Sequence, residues 1–264
     1  KSAVMLAGLN AEGTTIVEEA RQTRDHTERM LRGFGVEVGT ERIGSEGVRV
    51  SLAGGQMLSA IDAAIPGDPS SAAFLVAAGI LSPLGDVMVE GIMSNPTRSG
   101  FYDVANLMGA HLGAEEMGDA AGERLINIHA GSAHLSGKAV PERLVPSMID
   151  EFPILGVMAA FADGETIVTG AEELRVKESD RIGAVVAMLR ANGVQAEERP
   201  DVEGALGVLA RRVDRGDGAR VVGREGGRGT RPGEQREAGE REESRVAHGV
   251  SIAEPRPNPG MRAD

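Results

Sequence analysis

The stretch SSAAFLVAAGILSPLGDVMVEGIMSNPTRSGFYDVANLMGAHL (70–112) sets the pattern of the chain. Its apolar opening is rich in Ala, Leu and Val, long enough for a helix, and breaks at Ser82-Pro83 and Gly85. A Val-rich run, DVMVE, reads as a strand, a polar corner carries Arg98, and a second helix stops at Gly109, where a left-handed residue is wanted. The same order recurs on either side. KSAVMLAGLNAEGTTIVEEARQTRDHTERMLRGFGVEV (1–38) places Gly13 before the strand TTIVEE, Arg24 at the corner and Gly35 at the exit. IDEFPILGVMAAFADGETIVTGAEELRVKESDRIGAVVAMLRANGVQA (149–196) has Gly164, Arg181 and Gly193 in those places. The strand glycines are 72 and then 79 residues apart. Self-similarity at that spacing marks a repeated supersecondary unit, and alternating helix and strand predicts an α/β repeat protein. GVRVSLA (47–53), RLINIHA (124–130) and HLSGKAV (134–140) read as strands returning the chain to the sheet.

Composition excludes several classes. With no Cys among 264 residues there is no disulfide framework, thiolate metal site or thiol nucleophile, and 41% apolar residues suffice for a core. No apolar run approaches the ~20 residues that cross a bilayer. KSAVMLAGL stops too early for a signal peptide, so a cytoplasmic, soluble protein is expected. Residues 1–200 hold 16 Lys plus Arg against 28 acids, which accounts for the whole net charge of −12. Residues 201–264 hold 12 Arg against 12 acids, 12 Gly and no aromatic. That composition places a boundary near Pro200 and predicts a disordered tail, of the kind a GC-rich gene yields when read out of frame. DVEGALGVLARRV (201–213) is the part of it that could add a further strand or short helix.

The corner arginines Arg24, Arg98 and Arg181 each lie just before a predicted helix or at its start, near free backbone N–H groups. Such a setting attracts phosphates and carboxylates. Pairing with neighbours such as Asp25 or Asp180 is the structural alternative for any one of them. Asp68-Pro69 reads as a helix cap followed by Pro at the first helical position, and Asp150 before Glu151 and Pro153 could equally be a helix start. His26, His111, His129, His134 and His248 show no metal-ligand spacing, so no metal is expected. GREGGRG (223–229) follows no strand and lacks the Lys-Ser or Lys-Thr of a phosphate loop, and its alternating charges argue against nucleic acid.

IPGDPSSAAF (65–74), NPTRSGFYDVANLMGA (95–110), PSMIDEFPILGVMAAFADG (146–164) and ELRVKESDRI (173–182) together resemble EPSP synthase, the 3-phosphoshikimate 1-carboxyvinyltransferase of the shikimate pathway. TRDHTERML (23–31) resembles its glyphosate-tolerant bacterial class. The resemblance implies incomplete βαβαββ units of the enolpyruvyl transferase type, an inside-out α/β barrel, with 1–66 ending one domain and 67–200 forming part of the other. It implies transfer of the enolpyruvyl group of phosphoenolpyruvate to the 5-hydroxyl of shikimate 3-phosphate, releasing phosphate. In that reaction one group takes the hydroxyl proton and another protonates the enolpyruvate methylene, which suits two carboxylates in different environments. By resemblance Asp150 is the base and Glu178 the acid. Asp150, Arg24 and Lys177 bind shikimate 3-phosphate, Lys177 also lowering the pKa of Asp150, and Arg181 clamps phosphoenolpyruvate. No cofactor, membrane or nucleic-acid partner is implied, and the family is usually monomeric. The family's GDKS-type, NAGT-type, SAQ and DHRIA motifs have no counterpart here, so the chain is expected to begin mid-protein and to be inactive alone. The alternatives are the sister enzyme acting on UDP-N-acetylglucosamine, against which RVKESDR speaks, and a non-catalytic anion-binding module.

Overall fold

The computed structural model describes residues 1–177, 179–199 and 205–208. Three repeats follow one another. The first has α1 (Ser2–Gly8), β1 (Thr14–Glu19), α2 (His26–Gly33), β2 (Val38–Ile43) and β3 (Gly47–Ala53), with sheet order β1-β3-β2. The second repeats it as α3 (Pro69–Leu81), β4 (Asp86–Met93), α4 (Gly100–Met108), β5 (Gly113–Ala120) and β6 (Glu123–Gly131), in the order β4-β6-β5. The third has β7 (Ala139–Val140), α5 (Phe152–Phe161), β8 (Thr166–Val168), α6 (Arg181–Ala191), β9 (Glu197–Arg199) and β10 (Ala205–Val208), in the order β7-β8-β10-β9.

In the third repeat β7 runs parallel to β8 while β8, β10 and β9 are antiparallel neighbours, a full βαβαββ unit. The second keeps a remnant of the same first strand, since Gly67 forms a parallel bridge to Ile92 of β4. Gly35, Gly109 and Gly193 leave α2, α4 and α6 at φ of +86°, +105° and +78°. These are left-handed conformations that a side chain resists, which explains glycine at all three exits.

One strand expectation is corrected, and the further strand that 201–213 could add is present. HLSGKAV is extended only at Ala139–Val140, with a lone bridge from Ser136 to Asp163. Gly137 donates its N–H to the Asp163 carbonyl so close to Glu165 that a Cβ would lie 2.4 Å from that residue's carbonyl oxygen, and Pro141 ends the strand because it has no N–H to give. The third repeat also continues past Pro200, because β10, within the 201–213 segment, pairs with both β8 and β9. The rest of the tail expectation lies outside the described residues.

The apolar side chains form two cores. Met5, Leu9, Leu31, Val36, Val48, Val50 and Leu52 close the first repeat, while a larger core running from Ala72 to Ala196 joins the second and third. Its bulkiest members, Phe101 and Phe152, sit at the starts of α4 and α5 and fix where those helices begin. Asp68 caps α3 by accepting from the Ser71 N–H at 2.9 Å, with Pro69 at the first helical position, as its sequence suggests. Among the described residues no helix is long and apolar enough to cross a membrane.

Candidate active site

Asp150 sits between a short 3₁₀ turn (Glu142–Met148) and the first residue of α5, with Glu151 as the capping residue. Pro153 in the first turn of α5 favours a helix start here, and Phe152 anchors it in the core. Arg24, from the corner before α2, donates through Nη2 to Asp150 Oδ2 at 2.5 Å. Arg181, the first residue of α6, donates through Nη1 to Asp150 Oδ1 at 3.1 Å. Two of the three corner arginines, from the first and third repeats, therefore converge on one carboxylate.

Burial works to raise the pKa of Asp150, but the hydrogen bonds and charges of Arg24 and Arg181 outweigh it and hold the carboxyl below its ordinary value. The side chains of Arg24, Asp150 and Arg181 are 38%, 36% and 29% exposed, so an anion in solution can reach both guanidinium groups. Arginine presents a fork of N–H donors that fits carboxylate and phosphate alike. The carboxylate of Asp150 occupies part of the place that such an anion would take.

The remaining sequence-derived residues are distributed differently. Lys177 pairs with Glu173 at 2.5 Å, and the groups that depress Asp150 are the two arginines. Glu178 lies outside the described residues. Arg98 is turned to structure: its guanidinium is largely buried and donates to Asp68 at 2.8 Å and Ser70 at 2.6 Å, bracing the start of α3 against the turn before α4. Arg98 makes the kind of pairing that the structural alternative expects.

Two further features escaped the sequence reading. Glu151 is buried, its Oε1 has no hydrogen-bond partner, and burial pushes its carboxyl up. Asp25, His26 and Glu123 bring ligand-type atoms within 4.8 Å of one another, although Glu123 is 97 residues from His26. Their carboxylates are already met by donors from Asn95 and Arg29. Beside this group is a cleft of about 580 Å³ whose walls include Thr23, Arg29, Arg42, Ser99 and Arg143. It has the size of a metabolite site, yet Arg24, Asp150 and Arg181 are not among its lining residues, so the paired arginines rather than the cleft define the candidate site.

The family model of EPSP synthase (3-phosphoshikimate 1-carboxyvinyltransferase) matches residues 1–213. The chain belongs to the EPSP synthase family. It is 73% identical over 202 residues to the 3-phosphoshikimate 1-carboxyvinyltransferase of Hyphomonas neptunium, covering 76% of this chain and 46% of that one. The same enzyme of Gluconobacter oxydans is 50% identical over 197 residues, covering 75% and 45%. The solved EPSP synthase of Acinetobacter baumannii superposes with a TM-score of 0.72 at 43% identity, over 80% of this chain and 46% of that one. The fold is accordingly that of the enolpyruvyl transferases, present here in part. The chain spans just under half the length of the curated EPSP synthases it matches. Both of these curated relatives carry the name of the shikimate enzyme rather than of its UDP-N-acetylglucosamine counterpart.

Proposed function

We propose that this segment forms one part of the active site of an enzyme that joins phosphoenolpyruvate to the 5-hydroxyl of shikimate 3-phosphate, giving EPSP and phosphate. The observation that carries the proposal is the carboxylate of Asp150 held between Arg24 and Arg181. Both substrates are anions, and the two arginines offer each of them a guanidinium. Arg24, with Lys177, would bind shikimate 3-phosphate, and Arg181 would bind phosphoenolpyruvate.

The proton movements follow from this arrangement. Asp150 takes the proton of the 5-hydroxyl as that oxygen bonds to C2 of phosphoenolpyruvate, while Glu178 gives a proton to C3, and a tetrahedral phosphate ester results. Loss of a proton from C3 back to Glu178 then forms the enol ether and expels phosphate. A carboxylate paired with two arginines is a weak base. When substrate anions draw the guanidinium groups away, its pKa rises towards the ordinary value and it becomes a better one. In this way the base gains strength when its substrates are in place.

Several features support the longer enzyme as the working unit. Two separate cores accord with 1–66 belonging to one domain and the chain from residue 67 through β10 to another. Helices α3 and α5 are apolar on all sides, yet Phe74, Leu75 and Phe161 are about half exposed, faces that the remaining part of a longer enzyme would cover. That enzyme would act as a monomer in the cytoplasm, and this chain alone would not turn over.

Calorimetric titration of the chain with shikimate 3-phosphate tests the binding half of the proposal. Saturable one-to-one binding is expected, with Arg24→Ala weakening it about 10- to 100-fold, the loss of one charge-assisted hydrogen-bonding group of ~1.5–3 kcal/mol. Absence of saturable binding, or binding indifferent to Arg24, contradicts it.

A further inference from the structure

A polar cluster next to Arg24 takes no part in the chemistry proposed above. At its centre is Asn95, 1% exposed, just beyond the end of β4. Its Nδ2 donates to Asp25 Oδ1 at 2.7 Å and to both carboxylate oxygens of Glu123, Oε1 at 3.2 Å and Oε2 at 3.0 Å. Its Oδ1 accepts from the backbone N–H of Thr97 at 2.9 Å and from the Thr97 hydroxyl at 2.8 Å. Glu123, the first residue of β6 and 5% exposed, also has Nδ1 of His26 2.7 Å from Oε1 and Nε of Arg29 3.5 Å from Oε2. Arg29 Nε donates in turn to Asp25 Oδ1 at 2.9 Å. Asp25, His26 and Arg29 of the first repeat are thereby tied to Asn95 and Glu123 of the second.

Asp25 shows what this cluster is for. It stands at the capping position of α2, where an aspartate ordinarily accepts a hydrogen bond from the first turn, and it makes no such bond. Its carboxylate is turned instead to Asn95 and Arg29, which outweigh burial and keep its carboxyl below the ordinary value. The cap of its own helix is given up for a contact between repeats. On the other side of Arg24, Thr23 is held by Glu19 through its hydroxyl at 2.5 Å. Arg24 is thus suspended between two tethered neighbours, and the tether at Asp25 is the one that reaches across to the repeat beyond.

We propose that Asn95 and Glu123 are positioning residues for shikimate 3-phosphate recognition, fixing Asp25 so that the neighbouring Arg24 is aimed at the Asp150 site. Only the identity of the ligand rests on the function proposed above; the aiming of Arg24 does not. An amide is needed at position 95 because it alone of the isosteric side chains offers donors to two carboxylates while accepting from Thr97. Leucine there leaves Asp25 and Glu123 without those donors, and Asp25 loses its fixed orientation.

The test is a mutant cycle read without substrate, on the carbon-13 carboxyl signal of Asp150 during acid titration of the 264-residue chain. Arg24→Ala should move the Asp150 midpoint up, towards the ordinary aspartate value, because one of its two cations is gone. Asn95→Leu should move it in the same direction, and Asn95→Leu combined with Arg24→Ala should move it no further than Arg24→Ala alone. Glu123→Gln, which keeps an acceptor for Asn95 and removes the charge facing Arg29 and His26, should give a smaller rise; it supplies the readout if Asn95→Leu does not fold. A residue that merely supports the fold would lower the melting temperature and leave the Asp150 midpoint unmoved, and that result overturns the proposal.

Titration of the same variants with shikimate 3-phosphate separates the two claims. Asn95→Leu is expected to weaken binding at least tenfold, and to add nothing in the Arg24→Ala background. If the unmodified chain takes up no shikimate 3-phosphate but the Asp150 cycle behaves as stated, the positioning stands and the substrate assignment falls. If shikimate 3-phosphate binds and Asn95→Leu changes neither affinity nor the Asp150 midpoint, the positioning falls and the substrate assignment stands.

Discussion

Asp150→Asn, placed in a hybrid in which residues 1–199 of this chain replace the matching part of the Hyphomonas neptunium enzyme, is expected to lower turnover by about 10²- to 10⁴-fold. That is the usual contribution of a positioned general base. Asparagine keeps the size of aspartate and an acceptor for one arginine, so Arg24 and Arg181 stay close to their places, but it cannot carry the 5-hydroxyl proton. Substrate affinities should therefore change by only a few-fold while the chemical step slows, a split between kcat and KM that loss of packing would not produce. The pH profile sharpens the test. With its pKa held down by the arginines in the free enzyme, Asp150 should let kcat/KM of the hybrid fall only as pH drops through that lowered value, while kcat falls at the higher value reached with substrates bound. Turnover within tenfold of the hybrid's own would mean that another group takes the proton.

Phe152→Ala should have the largest effect on stability, about 3–5 kcal/mol, because it empties a fully buried aromatic site. Phe152 is 1% exposed and begins α5 two residues after Asp150, so the cavity opens at the helix start that follows the site. Against a domain stability of ~5–15 kcal/mol the loss is a large share, and unfolding by urea should show a midpoint shift with little change in slope. Neighbours that relax into the cavity would carry the start of α5 and Asp150 with them, so affinity for shikimate 3-phosphate should fall together with stability. A cost under about 1 kcal/mol would show that α5 is not anchored by this ring.

The repeats were legible because each carries its own local signals. A strand after a glycine, a corner arginine and a glycine at φ near +80° to +105° recur in register, and each of the three sheets holds the strand that follows its glycine, β1, β4 or β8. β7 was misjudged because the contact that limits it, Gly137 against the backbone of Glu165, is set by another segment and leaves no mark on HLSGKAV itself. The convergence of Arg24 and Arg181 on Asp150 was anticipated only as a list of residues. Arg98 has the same local setting and went to Asp68 and Ser70 instead, so local sequence does not tell which corner faces the site. The Asn95 cluster was hidden for a related reason. Asp25 and Asn95 are 70 residues apart, and neither asparagine nor glutamate advertises a partner that only the packing of two repeats supplies.

The most direct measurement is phosphate release by the unmutated hybrid, with each substrate supplied singly and then together. The proposed function predicts release only when phosphoenolpyruvate and shikimate 3-phosphate are both present, at a rate within about tenfold of the Hyphomonas neptunium enzyme, which is a difference of about 1.4 kcal/mol in barrier. A folded hybrid that binds both substrates and releases no phosphate, or one that releases it without shikimate 3-phosphate, contradicts the assignment of this segment to the EPSP-forming site.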